Sequence, residues 1–515
     1  MPSNLRTSVA LGVAEIEATP RAQAPSARSR VRACIGWLEA RALFVAAVAA
    51  VAVVSLTQVY LHISQDSWLA LVAGRLIAAH GIPQHDYLTV MAHGVRWVDQ
   101  QWLAQLGLYE LYRVGGLALM SVVYAFTTAA SLALAIAAAR RIGAAERSLV
   151  YILPFGAFFF IATAVSVRTQ GFAYPLFALT LWLLASEVRA PSRARVYLVL
   201  PVLVLWANLH GSVTMGVGLA VIFGVTSLYE GLRAHGIRGL VQARGLVLTL
   251  GSPLALLATP YGTAVVHYYA STLFNSEFGK LVSEWRPVTS VMVLAVPFML
   301  LLLFVVWLLG RSGRRTPAFD QLVLAMLGLG GVFAVRNITW FGLATVILVP
   351  AVLQSTMREK AAAPRRTRLN ATLAGLSIAL VLLSALTTLA RPARWFEHTY
   401  DLRAVPAVAR LVTANPNLRI YADVRFADWL IWHDPALAGH VAYDTSFELL
   451  SARQLQTIAN IGQAVPRGQT DPLAAYRAFV LDPKNRASNR ALLDRPGTRV
   501  VLRSKRVIVA SSRAR

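Results

Sequence analysis

Runs of about twenty apolar residues recur along this 515-residue chain, and no other feature restricts its fold as much. Ala42–His62, Leu117–Ala139, Val291–Gly310 and Leu369–Leu389 are each close to the roughly 20 residues a helix needs to cross a bilayer's hydrocarbon core. Hydrophobic residues make up 57% of the chain and charged residues 14%, with a mean hydropathy of +0.56. A single soluble core would struggle to hide that much apolar surface, so most of the chain is expected to meet lipid.

The net charge of +25 comes as short basic clusters between apolar runs. A nucleic-acid interface would gather arginine and aromatic residues into one patch, so the clusters read as topology signals and no nucleic-acid partner is expected. Positive clusters mark cytoplasmic loops. The N-terminal tail, Arg140–Arg147, Arg189–Arg195, Arg233–Arg244, Arg311–Arg315 and Arg358–Arg368 therefore alternate with about eleven spans. These fall near 42–62, 117–139, 148–165, 171–187, 196–209, 212–230, 246–260, 291–310, 320–334, 338–355 and 369–390. The path puts the N-terminus in the cytoplasm and the C-terminus outside it.

Three regions follow. Residues 1–38, rich in Arg, Ala and Ser and lacking a secretory signal, read as a disordered basic cytoplasmic tail. Residues 39–390 form the membrane domain; its first outer loop, 63–116, repeats Trp68, Leu69, Leu71, Val72, Leu76 and Ile77 at helical spacing before a Gly81-Ile82-Pro83 turn. That loop is expected to lie along the membrane interface as short helices. Residues 391–515 have a soluble composition, with Leu418–Val424 and Val500–Val509 as strands and Phe447–Gly462 as a helix, giving a small α/β domain. Cys34 is the sole cysteine, which precludes an internal disulfide.

Ionisable groups near membrane spans are costly and thus functional candidates. On the threaded path Asp66, Asp86, Asp99, Arg168, Gln170, His210, Glu284, Arg336 and Asn337 share the outer side. Asp66 follows the first span, where a carboxylate serves as general base or metal ligand, or simply caps the next helix. Asp86, in Pro83-Gln84-His85-Asp86-Tyr87, is its candidate helper or a turn residue. Arg168 and Gln170 occupy a loop a few residues long, suited to a phosphate or to snorkelling. Asn208 and His210 in Trp206–Ser212, Tyr261 in Thr259–Gly262, Glu284 beside Trp285, and Arg336 complete the candidate set. Tyr421, Asp423, Asp428 and Asp444 in the last region read as ordinary strand ends and turns.

With Asp66-Ser67-Trp68, Gly74-Arg75, Gly81–Asp86 and Trp206–Gly211 in place, the chain resembles the GT-C-type polytopic glycosyltransferases. The likeness is to bacterial members similar to the dolichyl-phosphate-mannose and lipopolysaccharide-core transferases. It departs from the pattern at Ala70, where such chains commonly carry a histidine. The resemblance implies a largely helical inner-membrane enzyme with an extracytoplasmic α/β domain. It would move a sugar from a polyprenyl-phosphate donor to a glycan, lipid or protein acceptor. Asp66 and Asp86 are then the catalytic candidates and Arg168, Gln170, Asn208, His210, Tyr261, Glu284 and Arg336 the substrate-binding ones. A divalent Mg or Mn ion held by Asp66 is a further expectation, although no dedicated metal motif is present. A non-catalytic membrane scaffold of the same fold, and a lipid or polysaccharide transporter, remain alternatives.

Overall fold

In a computed structural model the chain is described from Ala27 to Ser512, apart from residues 62, 193, 238–242, 274, 276, 358–366 and 462–472. Seven helices are long and apolar enough to cross a membrane: Trp102–Arg141, Glu146–Ala164, Thr169–Arg189, Val213–His235, Met292–Ser312, Val335–Thr356 and Thr367–Leu389. Arg32–Ala40 and Ala42–Gln58, bent by 81° between them, are long and apolar enough for an eighth span only when taken together. The other three expected crossings fall on the shorter helices Val199–Leu209, Ala243–Ala255 and Ala318–Phe333.

The expected disordered tail is partly corrected. Residues 1–26 lie outside the described ones, but Ala27–Ala40 is helical, and Arg41 stacks on the half-exposed Trp37 at 4.7 Å. Tryptophan and arginine together suit a helix lying at a membrane–water boundary.

Met292–Ser312 and Thr367–Leu389 present large exposed apolar side chains such as Val293, Leu300, Leu376 and Leu383, the outward face a lipid solvent requires. Ile338–Thr356, by contrast, is buried from Ile338 to Pro350 and forms the centre of the bundle. It meets Glu146–Ala164 through two glycines. A Cβ on Gly342 would stand 2.7 Å from the Gly156 carbonyl oxygen, and one on Gly156 would stand 2.8 Å from the Gly342 carbonyl oxygen. Small residues let membrane helices approach this closely where larger side chains would separate them.

The expectation of a surface-lying first loop is corrected as well. Gln65–His80 is one helix, with Trp68, Leu71 and Ala73 fully buried. One side packs on Trp102–Arg141 and the other on the C-terminal helix Val424–His433. Trp68 meets Tyr400 edge-on at 5.8 Å, and Arg75 donates to the Ile431 and Trp432 carbonyls at 2.8 and 2.9 Å. The helical apolar spacing was real, but both faces are covered by protein. The Trp102–Arg141 helix bends at Gly115 and Gly116, where φ of +62° at Gly116 selects glycine.

Four strands form the C-terminal sheet: β1 (Ile420–Ala422), β2 (Ala478–Leu481), β3 (Thr498–Arg503) and β4 (Ile508–Ser512), in the order β1-β2-β4-β3. β1 runs parallel to β2, and β4 is antiparallel to both β2 and β3. The expected Val500–Val509 strand is thus a hairpin, turned at Ser504–Arg506. The expected Phe447–Gly462 helix is a short turn at Phe447–Leu449 followed by the helix Ala452–Ala459. Beyond β1, residue 441 pairs with both Ile420 and Thr89, so the first loop of the membrane domain joins the C-terminal sheet. Truncating one fully buried tryptophan costs on the order of 3–5 kcal/mol, so Trp68 contributes substantially to the junction's stability.

Gly342→Ala is expected to lower the Tm of the detergent-purified protein, by about 1–3 kcal/mol of overpacking. Gly310→Ala, where no atom stands within 4 Å of the new Cβ, is the control and should not lower it.

Candidate functional site

A cavity of about 410 Å³ opens where the membrane helices meet the first loop and the C-terminal domain. Of the nine residues expected to form the site, six line it: Asp66, Arg168, Gln170, His210, Glu284 and Arg336.

Asp66 occupies the first turn of Gln65–His80, where the helix dipole favours a carboxylate. It is not the cap. Ser64 holds that position, with its amide donating to Ser67 Oγ at 3.2 Å, and the Ser67 hydroxyl donates to the Val167 carbonyl. This bond ties the helix to the connector carrying Arg168. Asp66 itself is left facing the cavity.

Arg168 is buried between two carboxylates. Its Nη1 donates to both Glu284 oxygens at 2.9 and 2.8 Å and stands 3.7 Å from Asp66 Oδ2. Its neighbour Gly171 packs where a Cβ would strike the Tyr124 ring at 2.1 Å. Burial raises the Asp66 carboxyl above its ordinary value; Glu284 adds to this, while Arg168 and Arg336 oppose it. Burial also tends to raise Glu284, but Arg168 and then Arg336 hold it below the usual range. The two acids thus differ, one braced as an anion and one made more basic.

Arg336 has no carboxylate partner among the described residues. Its guanidinium lies over the Trp285 ring, 4.5 Å from the centroid, which leaves its donors for a ligand. His210 is neutral: burial and the two nearby arginines depress its pKa well below the normal imidazole value. Its Nδ1 accepts the Ser212 amide at 3.0 Å, so its single proton resides on Nε2. Beneath them, Trp340 sits 5.1 Å from Phe177 and 5.3 Å from Tyr174, a wall of rings that excludes water.

Three expected residues do not line the cavity. Asp86 is fully buried and its oxygens accept the amides of Leu88 and Thr89 and the Thr89 hydroxyl, so it shapes a turn and is not placed to assist Asp66. Asn208 spends its amide on Trp102 Nε1, the Val204 carbonyl and the Ala258 carbonyl. The Tyr261 hydroxyl donates to the Pro83 carbonyl at 2.9 Å. All three fix loops around the site.

Sequence reasoning missed other lining residues. Gln100 donates to the Tyr268 hydroxyl at 2.6 Å and accepts the Gly211 amide at 2.9 Å, and Gln101 accepts the Thr169 hydroxyl. The cluster Gln100-Gln101 with Gln105, so rich in amides beside a span, was a readable signal. Thr445, Phe447 and Glu448 of the C-terminal domain also line the cavity, and nothing in their local sequence announced it.

Among the described residues no three His, Cys, Asp or Glu side chains come close enough to hold a metal. Asp66 and Glu284, the carboxylates nearest the cationic groups, already share Arg168.

No protein-family model and no curated protein matches the chain in sequence. Among solved structures it is similar to ArnT from Cupriavidus metallidurans in the apo state, at 15% identity over 93% of this chain and 98% of that one, with a TM-score of 0.51. The same protein bound to undecaprenyl phosphate aligns at 15% identity over 92% and 98% of the two chains, with a TM-score of 0.49. The Archaeoglobus fulgidus oligosaccharyltransferase in its apo form aligns at 10% identity over 84% and 69%, with a TM-score of 0.41. The apo ArnT comparison shows a shared fold.

Asp99 supplies a test of the buried electrostatics. It is 2% exposed, Oδ2 has no partner, and burial pushes its pKa to about 7 against the pull of the Gln101 amide and the Gln105 side chain. The folded state therefore keeps a proton that the unfolded chain releases near pH 4, and stability falls as pH rises from about 4 to about 7. Asp99→Asn should raise Tm at pH 8, by a few kcal/mol at most, with the gap closing by pH 4.5 in thermal unfolding.

Proposed function

We propose that this chain, which has the GT-C fold, is a membrane glycosyltransferase that moves a sugar from a polyprenyl-phosphate donor to a cell-envelope acceptor. The observation that carries the reading is the union, in one cavity at the end of an apolar bundle, of a cation with no direct ion pair among the described residues and a carboxylate of raised basicity. A lipid-borne phosphate has its tail in the bilayer and its head at the membrane surface, which is where such a pair is useful.

The chemistry is a displacement at the anomeric carbon. Asp66 takes the proton of the acceptor hydroxyl as that oxygen bonds to the sugar carbon. The bond from that carbon to the phosphate oxygen breaks, and its electron pair stays on the phosphate. Arg336 offers a planar set of donors for the departing anion, and the neutral His210 adds one hydrogen bond from Nε2. Arg168 keeps Glu284 ionised and holds Asp66 in reach, so the site carries little net charge before the donor arrives. Gln170 and the neighbouring glutamines suit sugar hydroxyls. No step passes through a metal.

The setting that follows is the plasma membrane of a bacterium, with the cavity on the extracytoplasmic side where the basic clusters are absent. The test is transfer of radiolabelled sugar from a panel of polyprenyl-phosphate sugars to envelope acceptors. Asp66→Asn of wild-type fold should lose at least about 100-fold in rate, the general range for a removed acid–base group. Arg336→Gln should weaken undecaprenyl phosphate binding about tenfold or more. Activity retained by Asp66→Asn would remove that residue from the chemistry. Chelation with EDTA should leave the wild-type rate unchanged, and loss of activity restored by Mg or Mn would refute the metal-free scheme.

A further inference from the structure

We infer that the Thr445–Leu449 turn of the C-terminal domain is the acceptor subsite of this cavity, where Glu448 grips a neutral, polyhydroxylated glycan through its hydroxyls. The inference rests on the transferase reading above and assigns its second substrate.

Glu448 is a half-buried carboxylate lining the cavity. Among the described residues it has no ion pair and no side-chain donor. Its charged neighbours are all acids, Asp99 and Asp66 together with Asp444 behind the turn. Burial in the first place, helped by Asp99 and Asp66, raises its pKa to about 7. Partly exposed to the cavity and paired with no cation, the carboxylate has acceptor capacity that a ligand carrying O–H groups can use.

The position divides the cavity by charge. Arg168, Arg336 and His210 neighbour one another, and an anionic donor head belongs with them. The same head would be repelled from Glu448, which leaves that side to the acceptor and disfavours an acceptor that is itself phosphorylated there. Beside Glu448, Thr445 brings a hydroxyl and Phe447 a ring. A carboxylate that accepts two adjacent hydroxyls, together with an aromatic face for the sugar's C–H surface, is the chemistry of carbohydrate recognition.

The turn is also held firmly enough to position a ligand. The Thr445 hydroxyl donates to Asp428 at 2.9 Å, the Ser446 amide to Asp444 at 2.7 Å, and the Leu449 amide to the Ser446 carbonyl at 3.0 Å. Just beyond it, Gln454 donates to the Met91 carbonyl of the first loop at 2.8 Å. The buried acids Asp428 and Asp444 thus act from behind the turn, outside the cavity.

The experiment uses the full chain in nanodiscs. Donors are undecaprenyl-phosphate-linked radiolabelled mannose, glucose and arabinose; acceptors are neutral oligosaccharides released from bacterial envelopes, with a peptide pool in parallel. Wild type, Glu448→Gln and Glu448→Asp are compared for acceptor KM, kcat and undecaprenyl phosphate binding. The expected result is a tenfold or greater rise in acceptor KM for Glu448→Gln, partial recovery in Glu448→Asp, and a donor-lipid Kd that does not move. An unchanged acceptor KM in Glu448→Gln, or transfer to the peptides alone, overturns the subsite while leaving the transferase reading intact. A wild type that binds no undecaprenyl phosphate and transfers from no donor overturns that reading, and the subsite with it.

Discussion

The ion cluster at Arg168 is the constraint around which the site is arranged. A buried guanidinium is tolerated only when paired, and its two partners come from segments far apart in the chain, the start of Gln65–His80 and the loop holding Glu284. Satisfying that one cation therefore brings the first outer loop and a late loop against the short connector between two spans. The Ser67 bond to Val167 and the Gly171 contact with Tyr124 hold the same connector from either side. Arg336 joins at the same end of the glycine-packed pair, from the other helix. Gly156 and Gly342 set how closely Glu146–Ala164 and Ile338–Thr356 run, and the two arginines lie just beyond the ends of those helices.

Most of the membrane architecture could be read from sequence because hydrophobic length is a one-dimensional signal. The expected crossings overlap helices, and the expected start of a span at Leu117, after the first loop, falls at the Gly115-Gly116 bend inside Trp102–Arg141. The GT-C resemblance, drawn from a few short segments, agrees with the shared fold. What failed was anything that depends on which surface covers a given face. The 63–116 loop was assigned to the interface on its apolar spacing, yet Trp68 and Leu71 are hidden by the C-terminal domain, a partner that spacing cannot reveal.

The site residues divide along the same line. Asp66, Arg168, Gln170, His210, Glu284 and Arg336 converge because a polar group at a span end has few places to go in an apolar bundle. Asp86, Asn208 and Tyr261 are equally polar and equally near span ends, but their hydrogen bonds are used up locally by partners that the three-dimensional fold brings to them. Glu448 was out of reach for the opposite reason. It belongs to a domain that composition sets apart from the membrane, and tertiary contact alone brings it to the cavity.

The junction between the first loop and the C-terminal sheet bears on how the molecule is made. Leu88 to Met91 pair with residues 439–442, about 350 positions later, so the loop leaves the ribosome long before its partner exists. The sheet behind that partner has β4 between β2 and β3, placing one of the last strands to be synthesised in its interior. Assembly of the cavity is thus necessarily late: the membrane helices can insert in turn, but the wall formed by Thr445, Phe447 and Glu448 arrives only after the C-terminal domain has emerged and folded back. A chain still being synthesised has its bundle before it has that wall.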